Sequence, residues 1–261
     1  MDFNWTKRTL TFKQPAGTSR GVMKSRDVWY IALSENGING IGECAPLPGL
    51  SLDDFNQIES KLDEVCGNLG LFIQDLSLLQ YFPSIRFGLE MAHLDLKNGG
   101  GQTYYDSPFT SCQSPISING LIWMGDADFM IQQVEGKLSE GWKCIKMKIG
   151  AIDFDTEIAL LKSIRERYSK DEIELRVDAN GAFSAEEALA KLEVLSKLDL
   201  HSIEQPIRQG QWNEMKDLCA KTPLPIALDE ELIGVVDVTK KVTLLQTIQP
   251  QYIILKPSLV G

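Results

Sequence analysis

Five charged residues recur at a nearly constant interval in the second half of the sequence. Lys148 is followed by Asp178 after 30 residues, Glu204 after 26 more, Asp229 after 25 and Lys256 after 27. Each closes a short apolar run, an unfavourable place for a charge without a partner. Three converging carboxylates repel one another unless a cation neutralises them, and all-oxygen ligation favours Mg²⁺, or Mn²⁺, over zinc. A lysine on either side of that cation suits removal of a proton α to a carboxylate. Such a proton is very weakly acidic, and the enediolate it leaves carries two negative charges, which a divalent ion stabilises as they develop. The base must be a neutral amine near pH 7. Lys146 lies two residues before Lys148, on the same strand face, and its charge together with the metal's favours the uncharged form of Lys148.

The interval follows from the elements that carry these residues. Residues 114–121, 144–149, 174–178, 201–207, 225–229 and 252–256 read as strands. Between the first two, Ala127, Met130, Ile131, Val134 and Leu138 fall at helical spacing, and 155–168 is helical too. Ser184 with Glu187 makes a capping box that opens a helix to about residue 197. Repeated strand-then-helix steps predict a parallel sheet, because parallel neighbours need a crossover connection. Its closed form is a (β/α)8 barrel, whose catalytic face lies at the C-terminal ends of the strands. Lys148 and Lys256, ending strands two and six, would face each other across the mouth with the carboxylates between them. Arg176 and Asn180 share the inward face of the Asp178 strand.

The first hundred residues have another rhythm. Residues 5–13 and 27–33 alternate with period two, and Glu35-Asn36-Gly37 and Asn39-Gly40 supply turn chemistry before a strand at 41–44. Residues 52–69 and 84–96 read as helices. The predicted class is thus α/β: an α+β capping domain over 1–110, then a (β/α)8-type barrel domain over 111–261 with about six strands in this chain.

Composition excludes several alternatives. The 261 residues are 43% hydrophobic and 24% charged, ordinary globular values. A net charge of −10, from 36 acidic and 26 basic residues, argues against nucleic acid and membrane surfaces as partners, while a local basic pocket could still take the small carboxylate substrate that the lysine chemistry calls for. The five cysteines form no C-x-x-C pair, so neither a zinc ribbon nor a secreted disulfide framework is expected, and they read as buried small hydrophobes. No apolar run has the length of a membrane span or of a signal peptide at the N-terminus, and the expected location is the cytoplasm. Of the two histidines, His201 opens its strand at the wrong end for catalysis and His93 lies in a capping helix. Asn98-Gly99-Gly100-Gly101 lacks the lysine of a phosphate loop and reads as a turn.

At the charged positions the sequence resembles the enolase superfamily. Lys146-Met147-Lys148 is similar to the K-x-K motif of its muconate-lactonizing subgroup. Asp178-Ala179-Asn180-Gly181, Glu204-Gln205-Pro206, Leu228-Asp229-Glu230 and Leu255-Lys256-Pro257 resemble the motifs of its next four strands. The resemblance spans the whole chain. It implies that Asp178, Glu204 and Asp229 hold Mg²⁺, that Lys148 takes the α-proton, and that Lys256 stays cationic. Within the superfamily, residues 19–23, 42–49, 83–88 and 118–121 are similar to the o-succinylbenzoate synthases, which dehydrate 2-succinyl-6-hydroxy-2,4-cyclohexadiene-1-carboxylate in menaquinone synthesis. That places Arg20, Met23, Pro48 and Gly49 in capping loops over the substrate. N-succinylamino acid racemisation, dipeptide epimerisation and muconate cycloisomerisation use the same kind of site. The family adds two further β/α units after the Lys-Pro strand. Without them, strands one and six are expected to expose unpaired edges, and a reading of a different class is an inactive remnant.

Overall fold

The structure, a computed structural model, describes every residue except Ser19, Arg20 and Met124. It opens with an antiparallel meander of β1 (Asp2–Thr18), β2 (Gly21–Glu35) and β3 (Ile38–Cys44). β1 and β2 pair from Asp2↔Ser34 to Thr11↔Ser25, and the register shifts before Ala16↔Met23. The turn between β2 and β3 places Asn36 and Gly37 at φ 52° and 80°, the backbone that a tight primed hairpin turn requires. Three helices follow: α1 (Ile58–Gly67), α2 (Leu69–Gln74) and α3 (Pro83–Lys97). The helix expected over 52–69 begins only at Ile58, because the preceding turn buries Asp53, which accepts from Ser84 N and Oγ at 3.1 and 2.6 Å.

α3 lies directly on the sheet. Trp29, Ile31, Leu33 and Cys44 pack with Ile85, Leu89, Ala92 and Leu96 in one apolar cluster. Glycine makes the approach possible. A Cβ at Gly42 would stand 1.8 Å from Gly88 O, and one at Gly40 would stand 2.1 Å from Ala92 O. Buried Asp95 on α3 secures the free edge of β3 by accepting from Ile41 N at 2.9 Å.

The rest of the chain alternates strand and helix: β4 (Gly120–Ile122), α4 (Ala127–Ser139), β5 (Cys144–Lys148), α5 (Phe154–Arg167), β6 (Glu174–Asp178), α6 (Ala185–Leu195), β7 (Ser202–Glu204), α7 (Trp212–Lys221), β8 (Ile226–Leu228), α8 (Val238–Ile248), β9 (Tyr252–Ile253) and α9 (Pro257–Val260). The six strands form one parallel sheet in sequence order, β4 to β9. β4 and β9 each pair with a single neighbour among the described residues. These edge strands are shorter than the sequence predicts, since a strand with one neighbour has only one ladder to define it. Tyr252, Ile253 and Leu255 are accordingly exposed.

Alternation along β5 puts Ile145 and Met147 in the core and Lys146 and Lys148 on the opposite face. Leu175, Val177, Ile203, Ile226 and Leu228 continue that core, packed with Leu161, Ile164, Leu192, Met215 and Leu244. The capping box at Ser184 and Glu187 forms as the sequence predicts. Of the cysteines, Cys44 and Cys219 are buried, whereas Cys66 and Cys112 lie in the surface, against the reading of all five as core residues. α9 packs on α3, and Ser258 Oγ donates to Ala45 O at 3.3 Å, joining the turn after Lys256 to the loop after β3. No helix among the described residues is long and apolar enough to cross a membrane.

Candidate active site

The parallel register sets the height of the charged side chains. Lys148 pairs with Asp178 across β5 and β6, and Asp178 pairs with Glu204 across β6 and β7. Asp229 follows the last residue of β8 and Lys256 follows β9, so all five stand at the C-terminal ends of five adjacent strands. Lys148 Nζ donates to Asp178 Oδ2 at 2.9 Å and to Asn180 Oδ1 at 2.6 Å. Lys146 Nζ bridges the next gap, 2.6 Å from Glu204 Oε2 and 3.3 Å from Asp178 Oδ2. Lys256 Nζ is paired with Asp229 Oδ2. Asp178, Glu204 and Asp229 are all buried.

Electrostatics in this rim are set by too many carboxylates for the cations present. Burial, then repulsion from Asp178, pushes the Glu204 carboxyl up to about 7, with Asp229 adding to the repulsion and Lys146 opposing it. Asp178 responds the other way: burial works against its charge, but Lys146 and Lys148 outweigh it and hold its carboxyl below the usual range. Burial likewise opposes the charged form of Lys146, and Asp178 and Glu204 overcome it, keeping the ammonium.

The donor chemistry fits a hard divalent cation. All three acids offer oxygen, Glu204 is short of positive charge, and Asp229 Oδ1 is buried without a hydrogen-bond partner among the described residues. The lysine nitrogens supply the positive charge in this arrangement. With Lys146 inserted between Asp178 and Glu204, and Lys256 on Asp229, no three acidic, His or Cys side chains among the described residues converge as a ready-made ion cage.

Two amides brace the rim: half-buried Asn180, which the sequence places on the Asp178 strand face, and buried Gln205, whose role no sequence pattern announced. Gln205, with φ 40°, donates from Nε2 to Ile207 O at 3.0 Å and to Glu231 Oε2 at 3.1 Å, and its Oε1 accepts from Asp229 N at 3.1 Å. Asn180, with φ 45°, donates from Nδ2 to Glu230 Oε1 at 3.1 Å. Glu231 Oε1 also accepts from Gly210 N at 2.7 Å. The run Asp229-Glu230-Glu231, which as a charge run would ordinarily be solvated, is buried throughout. The one sequence signal was its place directly after an apolar strand.

The remaining candidates fall elsewhere. Arg176 is engaged by Glu174 at 2.6 Å and lines a cavity of about 320 Å³ with Lys146 and Glu204. Met23 and Pro48 line a cleft of about 380 Å³ between the start of β2 and the loop after β3, with Gly49 in that same loop. Arg20 lies outside the described residues. His201 stacks on Tyr252 with ring centroids 4.8 Å apart, at the opposite end of β7 from Glu204.

A parallel sheet with charged groups at its C-terminal ends, beside an antiparallel sheet with helices, is the plan of the capped (β/α) barrels. Residues 130–251 match the family described as enolase C-terminal domain-like, and residues 10–96 match that described as MenC, N-terminal domain. The sequence is 47% identical to an o-succinylbenzoate synthase of Desulfotalea psychrophila over 295 aligned residues, covering 100% of this chain and 79% of that one. The crystal structure of MenC from D. psychrophila LSv54 superposes with a TM-score of 0.85 at 44% identity, covering 100% and 79% of the two chains. The magnesium-complexed o-succinylbenzoate synthase of Thermosynechococcus elongatus shares the fold, at 24% identity and a TM-score of 0.76 over 99% of this chain and 77% of that one. A hydrophobic dipeptide epimerase of Roseobacter litoralis is 28% identical over 83% of this chain and 64% of its own. The chain belongs to the o-succinylbenzoate synthase family of the enolase superfamily.

Proposed function

We propose that the protein is a dehydratase that converts 2-succinyl-6-hydroxy-2,4-cyclohexadiene-1-carboxylate to o-succinylbenzoate, with Lys148 as base. The observation that carries the substrate is the 47% identity to an o-succinylbenzoate synthase across the full chain. The lysine and carboxylate rim supports the chemistry. Lys148, as a neutral amine, takes the proton α to the substrate carboxylate. Its ammonium then returns that proton to the departing hydroxyl on the same face, so water leaves and the ring becomes aromatic. Lys256 remains protonated beside Asp229 and stabilises negative charge on the enediolate. Asp178, Glu204 and Asp229 would hold the cation. Bound Mg²⁺, or Mn²⁺, would neutralise the substrate carboxylate and the charge that develops on it. Lys146 keeps its ammonium between Asp178 and Glu204, a fixed positive charge on the Lys148 strand face.

The test is an ultraviolet assay with the hydroxycyclohexadiene substrate and Mg²⁺, run beside Lys148→Ala. Turnover that needs both the metal and Lys148 is the expected result. Turnover unchanged in Lys148→Ala would remove the base assignment. Inactivity on this substrate with epimerisation of a hydrophobic dipeptide would reassign the reaction within the superfamily.

A further inference from the structure

We infer that Glu230 is a positioning residue for Lys148, acting through the side-chain amide of Asn180. The inference rests on the reading of Lys148 as the base. Asn180 stands between the two: Lys148 Nζ donates to its Oδ1 at 2.6 Å, and its Nδ2 donates to Glu230 Oε1 at 3.1 Å. These contacts fix the sense of the amide: its carbonyl end faces the Nζ hydrogens of Lys148 and its NH2 end faces an acceptor oxygen of Glu230. Turned over, the amide would oppose its NH2 to the hydrogens of the lysine and its oxygen to the carboxylate. Glu230 is itself held in the buried 3₁₀ turn Glu230–Leu232, and the Asn180 backbone is pinned by its N–H donating to Asp178 Oδ1 at 3.1 Å.

The consequence concerns the lone pair of the base. A neutral lysine amine has two N–H hydrogens and one lone pair. Asp178 Oδ2 at 2.9 Å and Asn180 Oδ1 at 2.6 Å are two acceptors for the two hydrogens. With both satisfied, the lone pair is directed away from the β6 end of the sheet. Asp178 is also a proposed cation ligand, which leaves Asn180 as the acceptor committed to Lys148. Glu230 therefore chooses which end of Asn180 the base meets, and through it where the base points.

The test uses the full chain with Mg²⁺ and the dehydration substrate, unlabelled and deuterated at the carbon that loses its proton. Glu230→Met removes the acceptor that orients Asn180. It should lower kcat by about 10- to 100-fold with KM nearly unchanged, and raise the deuterium isotope effect, because a misaimed base slows proton transfer itself. Glu230→Gln keeps an acceptor oxygen and should recover most of kcat. Asn180→Gly, whose backbone accepts the left-handed conformation, should reproduce the defect, and Glu230→Met added to it should cost no more. Should Glu230→Met not fold, Asn180→Gly and Glu230→Gln decide: the glycine variant must be slow with a raised isotope effect and the glutamine variant near normal. A fall in kcat with an unchanged isotope effect, additive defects, or a normal Asn180→Gly overturns the inference. Lys148→Ala separates the two levels, since its inactivity beside any of these results leaves the base assignment standing, whereas its full activity overturns both.

Discussion

The contact of β3 with α3 and the charged rim of β5–β8 are both buried, and they are built by opposite means. At the first, backbones meet over glycine: Gly40 and Gly42 leave no room for a methyl group against Ala92 and Gly88, and the surrounding residues are apolar. At the second, six buried polar residues, Asp178, Glu204, Gln205, Asp229, Glu230 and Glu231, crowd three neighbouring strand ends. Close packing there is replaced by ion pairs and amide braces. The first region gains stability from shape. The second holds carboxylates whose burial, and then mutual repulsion, lifts Glu204 to about 7, a strain the fold tolerates where chemistry uses it. Substitutions in the two regions should therefore fail differently, one through folding and the other through turnover.

The largest separation is expected at Lys148. Lys148→Ala should lower kcat by up to about 10⁴-fold while Tm moves by only a few degrees, because Lys146 still partners Asp178 at 3.3 Å. Steady-state kinetics and a thermal melt on one preparation check both halves. A melt lowered as much as that of a glycine variant would erase the contrast. Gly42→Ala is the converse. Its Cβ meets a backbone carbonyl that cannot turn aside, so a loss of about 3 kcal/mol or more is expected, about 6–12 °C in Tm. The folded fraction, counted by active-site titration, should keep normal kcat.

A smaller effect tests the electrostatic half. A proton competes with metal at Glu204, so Mg²⁺ affinity measured by calorimetry should fall about tenfold per pH unit below about 7. Stability of the metal-free protein should run the other way. The Glu204 carboxyl is raised in the folded state from 4.5 to about 7, so its contribution is fully present below 4.5 and lost as pH rises through about 7. Melts at pH 6 and 8 with and without Mg²⁺ measure this, and a pH-independent affinity would refute the account of Glu204. The smallest change is expected at Ser184, whose Oγ accepts from Glu187 N at 3.3 Å at the start of α6. Ser184→Ala should cost about 1 kcal/mol of stability and leave kcat alone, although α6 follows directly from the Asp178 strand.

Much of this was legible along the chain. The strand-then-helix rhythm, the Asn36-Gly37 turn and the capping box at Ser184 are local signals that the structure bears out, although the strand expected over 114–121 forms only at Gly120–Ile122. Strand ends were less legible. β7 stops at Glu204, where Gln205 turns to φ 40°, and β9 keeps only Tyr252 and Ile253 in its ladder. The roles of Gln205, Glu230 and Glu231 were not legible at all, because a glutamine or a pair of acids in sequence carries no record of what lies across the sheet.

The sequence by itself determined the period of the barrel units and the type of charge that ends each one. Both follow from the chemistry of single residues and from spacing that any parallel strand-helix repeat enforces. Only the tertiary structure decided which charges meet: Lys146 between Asp178 and Glu204, Lys256 on Asp229, and Asn180 between Lys148 and Glu230. Those pairings join residues from 27 to 58 positions apart. Such distances in sequence close only when the sheet register is fixed and burial removes the water that would otherwise have solvated each group alone.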